Sequence, residues 1–189
     1  MTPTNAIIST VQSKFGDGSG YFNGTNASLS MPHAANLAFA TSDFTLETWI
    51  FCPTSVTGAQ VLMLHRPFQT ATGVSISIVN MIPQGFFGDA SGTAWEVSLM
   101  SDTPIPVGAW AHFAVSRQGG DFRMFINGNL TASATSVGLN INDSGGNVFI
   151  GRSEPGNYLN AYLNDFRITK GICRYSAPFT PPTSRFPDA

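Results

Sequence analysis

The residues able to do chemistry in this chain are few and scattered. Glu47 and Glu96 are single carboxylates in strand-like surroundings, and neither belongs to a Glu-x-Asp-x-x-Glu run. Hydrolysis of a glycosidic bond with retention needs two carboxyl groups about 5–5.5 Å apart, which such a run supplies from one strand. Standing alone, each reads as a solvent-facing strand position. His33, His65 and His112 accompany no serine or cysteine in a nucleophile motif. Cys52 and Cys173 lie far apart in the chain and match no metal-ligand spacing. They read as two buried thiols of a protein made in a reducing cytosol. A bridge between them depends on whether the fold brings them together. No catalytic constellation stands out, so the expectation is a protein that is not an enzyme.

The chain that must position these groups has 189 residues, enough for one domain with a substantial core. Hydrophobic residues make up 42% and charged residues only 11%, well under the usual quarter. Fifteen Phe exclude disorder, and Ser, Thr, Asn and Gly fill the polar positions, as in a neutral, turn-rich β protein. A net charge of −2 with no basic run leaves nothing to neutralise a phosphate backbone, which excludes nucleic acid as a partner. No apolar run approaches a membrane span, and Met1–Ile8 lacks the pattern of a signal peptide. The sequons at Asn23, Asn26, Asn129 and Asn142 then read as chance products of composition.

About a dozen short strands follow one another between Gly, Pro and Asn turns. Tyr21–Asn23, Ala27–Met31, Phe44–Cys52, Gln60–His65, Gly73–Val79, Gly85–Gly88 and Ala94–Met100 come first. A meander spans 110–135, in which Asn127-Gly128 is a strong hairpin signal because both residues tolerate positive φ. Asn147–Gly151 and Leu159–Thr169 complete the set. Only His33–Phe39 suggests a helical turn. This is an all-β pattern of two packed antiparallel sheets. Residues 1–18 read as a flexible arm, 19–176 as the domain, and 177–189 as an extended Pro-rich tail laid on the domain or on a neighbour, pinned by Phe179 and Phe186.

Six blocks in order carry a resemblance. They are Tyr21-Phe-Asn-Gly-Thr, Asp43-Phe-Thr-Leu-Glu-Thr-Trp-Ile, Trp110-Ala-His-Phe-Ala-Val-Ser-Arg, Phe125-Ile-Asn-Gly, Val148-Phe-Ile-Gly and Leu163-Asn-Asp-Phe-Arg-Ile. Together they resemble the laminin G / concanavalin A-like jelly roll, a two-sheet antiparallel β-sandwich. The closing segment from Asp165 to Pro182 is similar to that of laminin G-like domains in virion proteins of tailed, especially marine, bacteriophages. With Met1 almost at the start of the domain, the chain looks like a stand-alone copy.

The resemblance implies a non-enzymatic virion structural protein, a head decoration or tail-associated (tail-fibre) jelly roll, made in the host cytoplasm. Its partners would be major capsid or tail proteins, with Ile7, Ile8, Phe179 and Phe186 at subunit or particle contacts. Virion symmetry favours a homotrimer. The alternative is a free lectin-like carbohydrate-binding module. The family binds glycans on aromatic faces, which points to Trp95, Tyr158, Phe68 and Phe87 with Asp89 as polar partner, and to a host surface glycan as ligand. No cofactor is required, but Ca²⁺ is the family's common structural ion. Asp165 matches a carboxylate position of related jelly rolls, and Asn23 stands where many relatives carry an acid. A degenerate glycoside hydrolase is the third reading.

Overall fold

Strict alternation builds the sheets. On the strand Phe44–Phe51, Phe44, Leu46 and Ile50 face the core while Thr45, Glu47 and Trp49 face the other way. A computed structural model describes residues 1–66, 70–153 and 156–187. It holds fourteen strands: β1 Thr2–Thr4, β2 Ile7–Ser9, β3 Ser19–Asn23, β4 Ser28–Met31, β5 Phe44–Phe51, β6 Ala59–His65, β7 Gly73–Val79, β8 Ile82–Gly88, β9 Val97–Met100, β10 Trp110–Gln118, β11 Asp121–Ile126, β12 Asn129–Thr135, β13 Val148–Ile150 and β14 Asn160–Lys170. One 3₁₀ turn, Ala35–Leu37, falls inside the stretch expected to form a turn. Among the described residues no helix is long and apolar enough to cross a membrane.

The strands form two seven-stranded antiparallel sheets, ordered β1-β4-β13-β6-β7-β8-β9 and β12-β11-β10-β5-β14-β3-β2. Their inner faces enclose one core that includes Phe22, Phe44, Leu46, Ile76, Phe87, Phe113, Phe122 and Met124. The expected jelly-roll sandwich is therefore the observed fold. Two hairpins turn on two residues that both have positive φ, Asn80-Met81 and Asn127-Gly128, the geometry that matches strand twist.

The start of the chain departs from the expectation. The first residues are not a free arm: β1 pairs with β4 at the edge of one sheet and β2 with β3 at the edge of the other. The tail crosses the outer face of the second sheet. Thr45 Oγ1 donates to the Ile172 carbonyl (2.9 Å), Ser116 Oγ to that of Tyr175 (2.6 Å), and the Phe179 amide to that of Gly128 (3.0 Å). The Phe186 amide donates to Asp165 Oδ2 (2.9 Å), and Arg185 pairs with Asp17. Tyr175 and Phe179 stack with their centroids 3.6 Å apart, and His112 meets both rings edge-on.

That strap explains Glu47, which faces no solvent at all: its exposure is 0%. Arg167 donates to Oε1 through Nε (3.0 Å) and Nη2 (2.7 Å), Tyr175 OH donates to Oε2 (2.7 Å), and His112 Nε2 lies 3.3 Å away. Burial pushes the Glu47 carboxyl up, but the contacts from His112, Tyr175 and Arg167 outweigh it and hold the group below the usual range. Burial next to this anion raises the Tyr175 phenol.

Candidate functional site

One charged side chain organises the end of the sandwich where β5 begins and β10 ends. Arg117 lies on the inward face of β10, in phase with Phe113 and Val115, so its guanidinium enters the core. There it donates to three loop carbonyls: Gly119 through Nε (2.7 Å), Ala40 through Nη1 (2.9 Å) and Leu139 through Nη2 (2.7 Å). A buried guanidinium is tolerated only when its donors are used in this way. Ala40 also bridges Ile141, and the Asn142 amide donates to the Gly88 carbonyl (2.9 Å). Three loops distant in sequence are thereby fixed side by side.

Between them opens a cleft of about 400 Å³. Asp89, Asn140, Asn142 and Asp143 supply its polar wall, and Ala40, Ala90 and Ile141 its apolar part. Asp89 Oδ1 accepts from the Ser91 amide (2.7 Å), while the Asp89 amide donates to Glu96 Oε2 (2.9 Å). The hydrogen bonds from Ser91 hold the Asp89 carboxyl below its usual range. Both oxygens of Asp143 lie 2.9 Å from His33 Nε2, and Oδ1 accepts from the Gly145 amide (3.2 Å). Burial pushes Asp143 up, but His33 and Gly145 prevail and its carboxyl also sits low. Two charged acceptors and two amides beside small apolar side chains can hydrogen-bond a polyhydroxylated ligand and pack its C–H surface. Among the described residues, no serine, threonine or cysteine lines this cleft.

The residues singled out from the sequence scatter over the molecule. Asp89 lines the cleft, and Trp95 stands half-buried close by, against Phe86 (centroids 5.5 Å apart) and under Arg66. Tyr158 belongs to the other end: neighbouring Asn157 accepts from the amide of Val61, near the start of β6, whereas Arg66 follows its end. Phe87 is corrected outright. Only 1% exposed, its ring packs on Phe44 and Phe122 in the core, out of reach of any ligand. Phe68 lies outside the described residues. Phe179 and Phe186 pack within their own chain, on His112. Ile7 and Ile8 remain exposed, Ile8 by 76%. Glu47 lies in β5 under the tail, whereas Glu96 sits in a bend just before β9, beside Asp89.

Asp165 and Asn23 do not meet. The residue paired with Asn23 is Asn160, five positions from Asp165, roughly 16 Å along the strand. Asn23 Oδ1 caps its own turn, accepting from the amides of Thr25, Asn26 and Ala27, and Asp165 accepts from Phe186. These two residues do not fit one oxygen cage for Ca²⁺. The cysteines are both free, Cys52 in the core at one end of β5 and Cys173 beside the other. Asn140, Asp143 and Arg117 were not singled out, and Asn142 was noted only as a sequon. A charged residue at the inward phase of an apolar strand was the legible signal for Arg117.

The family model of the concanavalin A-like lectin/glucanases superfamily matches residues 23–172. Comparison with curated proteins finds no match. Among solved structures, the binding domain of Paraclostridial Mosquitocidal Protein 1 superposes with a TM-score of 0.72 at 18% identity, over 95% of this chain and 44% of that one. The Botulinum Neurotoxin serotype G binding domain gives 0.69 at 15%, over 92% and 43%. Domain 4 of AbnA, a GH43 extracellular arabinanase from Geobacillus stearothermophilus, solved in complex with arabinotriose, gives 0.67 at 18%, over 92% and 79%. The chain thus spans less than half of the two toxin binding domains, and at these identities the likeness is one of fold. With the family model covering most of its length and two antiparallel sheets to match, the chain belongs to the concanavalin A-like lectin/glucanase superfamily.

Proposed function

We propose that this protein is a non-enzymatic carbohydrate-recognition module that holds a glycan in the cleft between Asp89 and Asp143. The observation that carries the reading is the cleft itself, with paired carboxylates and amides on a wall that Arg117 keeps in shape. Its volume falls in the range of small-molecule sites. A related fold with arabinotriose bound adds support from outside the chain. Recognition here needs no group to move: acceptors already held charged by local donors meet sugar hydroxyls, and displaced water supplies the rest.

The test is calorimetric titration of the full chain with arabino-oligosaccharides and a panel of bacterial surface glycans. Saturable binding that falls tenfold or more in both Asp89→Ala and Asn142→Ala, with no reducing sugar released, is the expected result. Binding untouched by both changes, or none to any glycan, removes the cleft from consideration.

A second reading concerns the carrier, a bacteriophage virion surface. The exposed Ile7 and Ile8 border an apolar groove of about 210 Å³ that Pro3, Ala6, Phe22 and Leu29 complete, a place for attachment to capsid or tail proteins or to sister copies in a trimer. Mass spectrometry of purified particles decides it: the reading requires the protein in the particle, and its absence sinks it.

A further inference from the structure

The tail that crosses the second sheet behaves as a ligand joined to its own receptor. Residues 171–187 contain no strand and no helix, so neither sheet's ladder depends on them. Pro178, Pro181, Pro182 and Pro187 lack the amides a ladder needs and keep the segment extended. What holds it is a groove made by the rest of the molecule. The Thr45 and Ser116 hydroxyls donate to the carbonyls of Ile172 and Tyr175, the Gly128 carbonyl accepts from the Phe179 amide, and Asp165 accepts from that of Phe186. Phe125 and His112 lie outside the hydrophobic core yet are 0% exposed, because the rings of Tyr175 and Phe179 cover them. The Arg167 guanidinium sits 4.1 Å from the centre of the Phe186 ring. An extended, proline-bearing aromatic segment in an aromatic-lined groove is a mode by which separate chains bind one another.

We propose that this strap is exchanged between copies: in an assembly, residues 171–187 of one copy leave their own groove and fill the same groove of a neighbour. An emptied groove would bare Phe125 and His112 and take the Tyr175 hydroxyl from Glu47, so it must be refilled. Only a segment of the same sequence repeats each of these contacts, which makes a second copy the occupant. The joint permits it. Gly171, which follows β14, turns the chain back across the sheet with φ 85°, and nothing lies within 4 Å of where its Cβ would be. A glycine moves to another φ at little cost, which sends the strap outward instead. Extended, the segment spans roughly 50 Å, against about 36 Å for the whole of β14, so it reaches a neighbouring molecule. Ile172, beside the joint, is half-exposed in the closed chain and would be covered where two copies meet. Because closed and exchanged forms share their contacts, concentration decides between them. A strap tethered to its own groove competes at an effective concentration in the millimolar range. The dilute chain is therefore closed, and exchange follows where copies are crowded together. None of these residues lines the cleft between Asp89 and Asp143, so exchange and glycan binding are independent.

The experiment uses two full-length variants. Gly128→Ala blocks the groove, since a Cβ there falls on the Phe179 carbonyl oxygen, and leaves the strap open to protease. Phe179→Ala weakens the strap and leaves the groove intact. Circular dichroism checks that both fold. A trace of Gly128→Ala mixed with millimolar Phe179→Ala should lose its strap to limited proteolysis at least threefold more slowly than with a millimolar chain carrying both changes. That double variant controls for competition for the protease, and strap fragments of the trace chain are told apart by mass at residue 179. Equal cleavage in the two mixtures overturns the exchange. Should either variant fail to fold, the wild-type chain decides. Concentrated to the millimolar range and diluted cold, it must leave a multimer in light scattering that returns to monomer on warming; a monomer throughout overturns the proposal.

Discussion

Glu47 is the most consequential single residue, because a carboxylate with 0% exposure depends wholly on its partners. Replacing it by Ala leaves Arg167 and His112 facing nothing, and should cost about 3–5 kcal/mol in urea unfolding. Its carboxyl is held below the ordinary value of 4.5, so it stabilises the fold above that pH, and the contribution is lost as pH falls through the depressed folded value. Glu47→Gln should therefore show a flatter loss of stability below pH 4.5 than the wild type, measured as unfolding midpoint against pH. The cysteines offer a simpler check. Burial pushes the Cys52 thiol up to about 12, whereas Cys173 is half-exposed. A thiol reagent at pH 8 should modify one group per native chain and two in denaturant. Modification of both in the native protein would mean that the core opens readily at the end of β5.

Individual strands were legible where alternation ran long enough to fix a face. β5, β10 and β11 could be read from Phe44, Leu46 and Ile50, from Phe113 and Val115, and from Phe122 and Met124. β1 and β2 were missed because three-residue strands with exposed side chains leave no periodicity to read. Phe87 was misplaced because two adjacent Phe in the short Gly85–Gly88 run do not tell which one faces inward; Phe86 points out and Phe87 in on a paired strand. The cleft was illegible for a different reason. Its walls come from around residues 40, 89 and 141, brought together by Arg117 and by backbone bonds that no spacing announces. Gly128 is the element-level test. Its φ is 78°, and a Cβ there would fall on the Phe179 carbonyl oxygen. Gly128→Ala should strain the hairpin and lift the tail at once, costing about 1–3 kcal/mol. Limited proteolysis should then cut within residues 173–187 sooner than in the wild type. Equal cleavage rates would show that the tail is held elsewhere.

The whole molecule divides its labour between two layers. One end of the sandwich presents a shaped, charged cleft, the outer face of the second sheet is sealed by the chain's own tail, and the β2 edge exposes Ile7 and Ile8. The sealed face carries Trp49, His112 and Glu47, an inventory that would otherwise be sticky and titratable. Strand order has a consequence for how the protein is made. β14 is the last strand in the chain but lies inside its sheet, between β5 and β3. On the ribosome, β5 must wait for a neighbour more than a hundred residues downstream, a delay on the order of ten seconds at ordinary elongation rates. Until Asn160–Lys170 emerges, β3 and β2 have nothing to join, and the apolar faces of two half-sheets stand open. Nascent chains stalled before this segment should be digested as unfolded polypeptide, and those stalled well past it should resist. The aromatic strands thus stay uncovered for as long as the last strand is unmade, and the order of synthesis, not only the finished core, decides how long this chain is exposed.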